Sequence, residues 1–163
     1  MRGTNDVFGS GADDHLLGDM QLEVAAESDR LGIQCTVDLW FYVFLRSFSR
    51  FGYFNFGPIT IDVRMIADII ERTGERIEPG ERAYGDDFVR FSLLVADERR
   101  RSGQRRIDEL HLLLAFMRVE DGLVSRVFGE LGVTRNEVEE FARRGGRPNS
   151  AAAALGGADE RLY

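Results

Sequence analysis

Few residues in this chain have side chains suited to covalent or acid–base chemistry. The sequence contains two histidines, His15 and His111, and a single cysteine, Cys35. All 21 residues counted as Lys or Arg are arginine, so chemistry that needs a lysine amine, such as Schiff-base formation or a Walker-type phosphate loop, is excluded. One cysteine cannot form an internal disulfide or a cysteine-rich zinc cluster. We therefore expect no enzymatic activity, no cofactor and no bound metal.

The individual polar candidates favour structural roles. His111 lies on an apolar stretch three residues after Asp108, which predicts a buried, hydrogen-bonded histidine rather than a ligand or a general base. Cys35 has no predicted cation beside it that would stabilise a thiolate. Glu139 and Glu140 are helix neighbours that do not face each other, so they do not form a catalytic carboxylate pair.

The net charge of the chain limits the kinds of partner that we expect it to bind. The chain has 28 acidic and 21 basic residues, a net charge of −7 and a pI near 4.9, which argues against nucleic-acid binding. One basic cluster stands out: Arg99, Arg100, Arg101, Arg105 and Arg106. It is typical of a solvated helix end, and the alternative is that Arg105 and Arg106 dock an acidic partner surface.

Aromatic residues form a second cluster. Five of them fall within nine residues, near Gly52 and Gly57: Phe48, Phe51, Tyr53, Phe54 and Phe56. Core packing is the ordinary role of such residues. However, five aromatics in one irregular segment cannot all point inward, and an exposed apolar patch usually marks a partner site. We therefore predict a contact surface here.

The elements that position these residues are predicted to be helices. We expect flexible ends at 1–13 and 145–163 and an ordered body at 14–144, made of a repeat at 14–74, a linker at 75–85 and a repeat at 86–144. An internal similarity relates Gly32 to Gly103, 71 residues later. The apolar run LWFYVFL after Asp38 is compatible with a strand. Because its counterpart in the second half has a helical period, we predict a helix capped by Asp38.

The second half resembles the repeat of Clp ATPase amino-terminal domains. The resemblance spans about forty residues and is carried by Gly103, His111, Leu113, Leu114, Arg118, Gly122, Val127, Leu131, Gly132 and Val133. The first half matches at fewer positions. The resemblance implies an all-α fold of two pseudo-twofold four-helix repeats, with the first repeat degenerate and SRFGYFNFG as its third helix.

Departures from the family pattern limit what the resemblance implies. Family members that bind phosphoarginine use a glutamate in each repeat to pair with the guanidinium, and Leu39 and Leu110 stand at these two positions. Asp38 and Glu109 stand where a threonine is expected, and their charge would repel a phosphate. The chain also has no Gly-x-x-x-x-Gly-Lys-Ser/Thr loop. We expect a Clp-like amino-terminal domain standing alone, without AAA+ modules and with a degenerate phosphoarginine site.

The expected function is therefore binding. We predict a non-enzymatic protein- or peptide-binding module that acts as an accessory or adaptor of Clp-dependent proteolysis, with a Clp ATPase, a peptidase or their substrates as partners. Asp38, Leu39, Glu109, Leu110, the aromatic cluster and the two arginines are the candidate contact residues. The alternative is a structural, scaffolding or self-associating protein without a protease partner. No apolar run is long enough to cross a membrane and no signal sequence is apparent, so we expect a cytoplasmic protein.

Overall fold

The computed structural model describes residues 15–78 and 86–149, and these ranges are mainly helical. They contain seven helices and one two-stranded sheet: α1 (His15–Leu31), α2 (Val37–Ser47), β1 (Tyr53–Phe56), β2 (Ile59–Asp62), α3 (Val63–Thr73), α4 (Asp86–Ser102), α5 (Glu109–Phe116), α6 (Gly122–Leu131) and α7 (Arg135–Arg143). The prediction of a mainly helical chain is confirmed. The predicted flexible segment 1–13 lies outside the described residues, as do 79–85 of the linker and 150–163 of the tail.

Helix α2 is the central element of the fold. The prediction that LWFYVFL is helical is confirmed, but the helix is capped by Thr36, whose hydroxyl accepts a hydrogen bond from the Leu39 amide at 3.3 Å. The expectation that Asp38 is the cap was wrong, because the helix begins one residue before it. All residues of α2 from position 37 to 45 are buried except Asp38. A helix that is apolar on every side must be surrounded by other elements.

Aromatic rings join the two halves of the chain around α2. Phe41 and Phe44 of α2 lie 5.1 and 5.3 Å, between ring centroids, from Phe116 of α5. Phe116 in turn stacks on Phe91 of α4 at 4.4 Å. Such pairs each add about 0.5–1.5 kcal/mol beyond the burial of their area. The two halves therefore share one hydrophobic core.

The segment SRFGYFNFG contains a tight turn and the first strand of a β-hairpin, so the expectation that it forms the third helix of the first half was wrong. Strands β1 and β2 pair antiparallel, with Phe54 opposite Ile61 and Phe56 opposite Ile59. Burial alternates along both strands and places these four side chains in the core. This period of two is that of a strand rather than a helix.

A tight turn at residues 50–53 leads into the hairpin, and we call it the Phe51 turn. Phe51 and Gly52 have φ angles of +55° and +85°. Arg50 and Tyr53 exchange backbone hydrogen bonds of 2.8 and 3.1 Å. Two central residues with positive φ between a hydrogen-bonded pair match a type I′ turn, which typically contains Asn-Gly.

Part of the predicted tail and linker is fixed in place. The Asn149 amide donates to the Asn55 carbonyl at 2.7 Å, which ties residues 145–149 to β1. In the linker, the Gln34 amide donates to the Glu75 carbonyl at 2.8 Å. Residues at both ends of the described ranges are therefore hydrogen-bonded to the first half of the chain.

Candidate functional site

A cavity of about 490 Å³ lies where the amino-terminal ends of α2 and α4 meet the segment that joins α5 to α6. We call it the α4 groove. Its walls combine apolar and charged side chains: Val37, Asp38, Asp87, Arg90, Phe91, Leu93, Leu94, Arg118, Val119, Glu120, Asp121 and Gly122. Leu93 is 63% exposed. A cavity of this size with an apolar lining and a few convergent polar groups has the form of a ligand site.

Asp38 connects α2 to the start of α6. Its carboxylate accepts hydrogen bonds from the amides of Leu123 and Val124, at 3.5 and 3.4 Å. Gly122 has a φ of +81°, and a Cβ on it would lie 3.3 Å from Asp38 Oδ2, so a glycine allows this close approach. Burial raises the pKa of Asp38, the two amides oppose that rise, and the charge of Asp87 adds to it. Asp38 thus caps α6 from another helix.

Asp87 plays the matching role for α2. Its Oδ2 accepts a hydrogen bond from the Val37 amide at 3.2 Å. A carboxylate has about four lone-pair sites, so both Asp38 and Asp87 keep acceptor capacity after these bonds. The groove therefore presents two carboxylates that could accept hydrogen bonds from a cationic ligand.

The electrostatic balance of the groove is acidic. Four of its lining side chains are carboxylates, and two, Arg90 and Arg118, are guanidiniums. Arg118 is already held at 2.8 Å by Asp97 and at 2.8 Å by Glu98. Its charge is thus largely neutralised, and the groove favours cations over anions.

Glu98 anchors the helix that forms one wall of this groove. Its side chain is 1% exposed and binds Arg135 at 2.6 Å as well as Arg118. Burial raises the pKa of Glu98, but the hydrogen bonds from Arg135 and Arg118 outweigh burial and lower it overall. This network ties α4 to α7 and to the segment that carries Arg118.

A Ser–His–Asp arrangement that sequence spacing does not predict lies beside this network. Ser102 Oγ is 2.8 Å from His111 Nε2, and His111 Nδ1 is 3.3 Å from Asp108 Oδ1. However, the Asp108 amide donates to Nδ1 at 3.0 Å, so Nε2 carries the proton and donates to Ser102. A hydrolase triad requires the opposite tautomer, in which Nε2 accepts the serine proton.

These bonds instead form a helix cap. Asp108 and His111 make a reciprocal capping box at the start of α5. The Ser102 hydroxyl donates to the Arg99 carbonyl at 2.8 Å. Burial lowers the pKa of His111, which keeps the ring neutral. The prediction of a buried, hydrogen-bonded His111 is confirmed.

The aromatic cluster is divided between core and surface. Phe54 and Phe56 are 0% and 2% exposed, so the expectation that they belong to an exposed contact patch was wrong, because the strand period turns both rings inward. Phe48 is half-buried against Phe44. Phe51 is 92% exposed and Tyr53 is 42% exposed. Only these last two fit the predicted contact surface.

The remaining predicted contact residues lie at separate places. Leu39 is fully buried, so its assignment as a contact residue was wrong; it faces the core because α2 is surrounded. Leu110 is half-buried and lines a second cavity of about 270 Å³. Glu109 pairs with Arg147 at 3.2 Å. Arg105 and Arg106 are exposed between α4 and α5; neither lines the α4 groove, where Asp38 is the only one of these predicted residues.

Comparisons with protein-family models, curated proteins and solved structures gave no significant match. No helix within 15–78 and 86–149 is long and apolar enough to span a membrane. In the same ranges, no group of three or more His, Cys, Asp or Glu side chains could hold a metal ion.

Proposed function

We propose that this chain is a non-enzymatic protein- or peptide-binding module of the Clp amino-terminal type, an accessory or adaptor of Clp-dependent proteolysis in the cytoplasm. The observation that carries the proposal is the α4 groove, with its apolar walls and acidic rim. Such a groove fits a peptide segment that has basic and apolar side chains close together.

Two ion pairs support a two-repeat plan. Glu27 and Glu98 are both buried and are related by the same 71-residue offset as the glycines that end α1 and α4. Glu27 binds Arg46 at 2.7 Å, and Glu98 binds Arg118 at 2.8 Å. In each half a buried glutamate of the first helix thus holds an arginine at or just beyond the end of the second. A repeat with a hairpin in place of one helix accounts for these pairs.

The chemistry of the groove disfavours a phosphorylated ligand. Asp38 and Asp87 would repel a phosphate, and Leu39 is too deeply buried to contact any ligand. An unmodified arginine or lysine, followed by an apolar residue, matches the same walls. We therefore place basic, apolar peptide segments in the groove.

Fluorescence anisotropy with two short labelled peptides tests this proposal. One peptide alternates Arg with Leu, and the other alternates Glu with Leu. We expect binding of the basic peptide only, weakened by added salt because charges are screened. Leu93→Arg should weaken it at least about tenfold, which is about 1.4 kcal/mol. Leu22→Arg on α1 is the matched control, since Leu22 is 73% exposed and outside the groove.

Two results would overturn the proposal: equal affinity for both peptides, or equal loss with Leu22→Arg and Leu93→Arg. Calorimetric titration with phosphoarginine should give no binding at micromolar concentration.

The proposed partnership with a Clp ATPase is tested separately. The wild type and Leu93→Arg are each immobilised, and the binding of a purified Clp ATPase to them is measured. Absence of binding to either would leave a peptide-binding module without a protease partner.

The second candidate function is self-association. It is favoured by Phe51, a large apolar side chain that is 92% exposed. Exposed aromatic residues of this kind are common anchors of protein interfaces.

A further inference from the structure

The Phe51 turn places a bulky aromatic residue where the backbone disfavours one. Phe51 has a φ of +55° and its side chain is 92% exposed. Type I′ turns favour Asn, Asp or Gly at this position, and a bulky residue at positive φ is an outlier. Among residues 15–78 and 86–149, no core contact accounts for the Phe51 ring. A strained, exposed aromatic of this kind indicates an interaction rather than a folding role.

Apolar and cationic side chains lie in the Phe51 turn and in the first turn of α3, whose Val63 amide donates to the Gly52 carbonyl at 3.0 Å. Tyr53 is 42% exposed and Met65, in the first turn of α3, is 53% exposed. Arg50 and Arg64 are both exposed. Arg64 lies beside the turn, since its Nε is 4.0 Å from the place that a Cβ on Gly52 would take. The turn is therefore an apolar projection flanked by two cations in a chain of net charge −7.

The α4 groove has the complementary character. Its apolar walls include Phe91, Leu93 and Leu94, and its carboxylates include Asp38 and Asp87. We propose that the Phe51 turn of one copy inserts into the α4 groove of a second copy, with the flanking arginines facing the carboxylates. The ring of Phe51 does not occupy the groove of its own chain, because it is almost fully exposed.

The contact joins two different surfaces of the chain, so it is heterologous. A pair of copies keeps one unused turn on one copy and one unused groove on the other, so further copies add until a ring closes or a filament grows. The inference rests on the groove of the proposed function. It adds regulation, because a groove filled by Phe51 of a neighbour cannot hold a peptide. Apparent peptide affinity should therefore fall as the protein concentration rises.

Sedimentation velocity over a concentration series tests the inference with three variants. We expect the wild type to associate, and raised salt to weaken the association. Phe51→Asn should be monomeric yet as stable as the wild type, since Asn suits the turn. Leu93→Arg should also be monomeric, because it places a cation opposite Arg50 and Arg64. Leu22→Arg should associate like the wild type.

A mixture of the two monomeric variants gives the most specific test of this inference. Phe51→Asn keeps an intact groove, and Leu93→Arg keeps an intact turn. An equimolar mixture of these two monomers should form a 1:1 dimer that grows no further. A mixture that stays monomeric would overturn the inference, as would a wild type that is monomeric up to about 1 mM or a Phe51→Asn variant that still associates.

The same variants separate this inference from the proposed function. If the wild type is monomeric and both it and Phe51→Asn bind the basic peptide, the self-association is wrong and the peptide site stands. If the mixture forms the dimer and Phe51→Asn binds no peptide, the peptide function is wrong and the self-association stands.

Discussion

Truncation of Phe54 tests the division of the aromatic cluster into core and surface. Phe54 is fully buried, and its ring lies 5.4 Å from that of Phe44. Replacing a buried Phe with Ala removes its apolar contacts and leaves a cavity, which costs about 3–5 kcal/mol. The total free energy of unfolding of a typical domain is about 5–15 kcal/mol. For an ordered body of this size we expect Phe54→Ala to lower the melting temperature by about 10–20 °C.

The matched variant is Phe51→Asn, three residues earlier in the same segment. The Phe51 ring is 92% exposed and so contributes little to the core, and an Asn at positive φ relieves strain of about 1 kcal/mol. We expect no loss of stability, or a small gain. Urea unfolding followed by circular dichroism measures the free energy of unfolding of both variants. A loss below about 1 kcal/mol for Phe54→Ala, or equal losses for the two variants, would refute the assignment of these rings.

Two further predictions concern the buried polar groups. Burial lowers the pKa of His111, so in acid the unfolded chain binds a proton that the native chain does not. The contribution of the neutral ring to the free energy of unfolding should therefore be fully present above pH 6.5 and be lost as the pH falls below it. His111→Gln, which keeps a capping side chain, should remove this loss in urea titrations at pH 7.5 and 5.5; an unchanged pH difference would contradict the argument. Glu98→Ala leaves Arg118 and Arg135 without their buried partner and should lower the free energy of unfolding by about 3 kcal/mol. This is the lower end of the cost of breaking a buried pair, because both arginines are about one-third exposed. The exposed control Glu140→Ala should cost at most about 1 kcal/mol in the same urea unfolding, and equal costs would show that the network is not buried in solution.

Helix ends can be predicted from the sequence where one short segment contains both partners of the hydrogen bond that fixes the end. Thr134 and Glu137 form a four-residue capping-box pattern in the sequence, and both hydrogen bonds of the box are present at the start of α7. Gly74 follows the last residue of α3, and its amide donates to the Ile70 carbonyl, which is a common way for a helix to end at a glycine. These features depend on hydrogen bonds between close neighbours in the chain. Sequence spacing is therefore sufficient to predict them.

The β-hairpin could not be predicted from local patterns of this kind. A type I′ turn is usually recognised by Asn-Gly, and here it contains Phe51 and Gly52. The alternation of Phe54 and Phe56 was present in the sequence. However, four-residue strands are too short for periodicity to distinguish them reliably from helix. Pairing with β2 and burial against the shared core decided the outcome.

The sequence alone thus determined a mainly helical, acidic, lysine-free chain with an apolar central helix, because composition and periodicity act locally. Only the tertiary structure decided the site. Asp38 and Asp87 are far apart in sequence, yet each caps a helix that belongs to another part of the fold. Whether a ring such as Phe51 or Phe54 is exposed, and which helix end a carboxylate reaches, depends on how the two halves pack around α2. No local pattern encodes that packing.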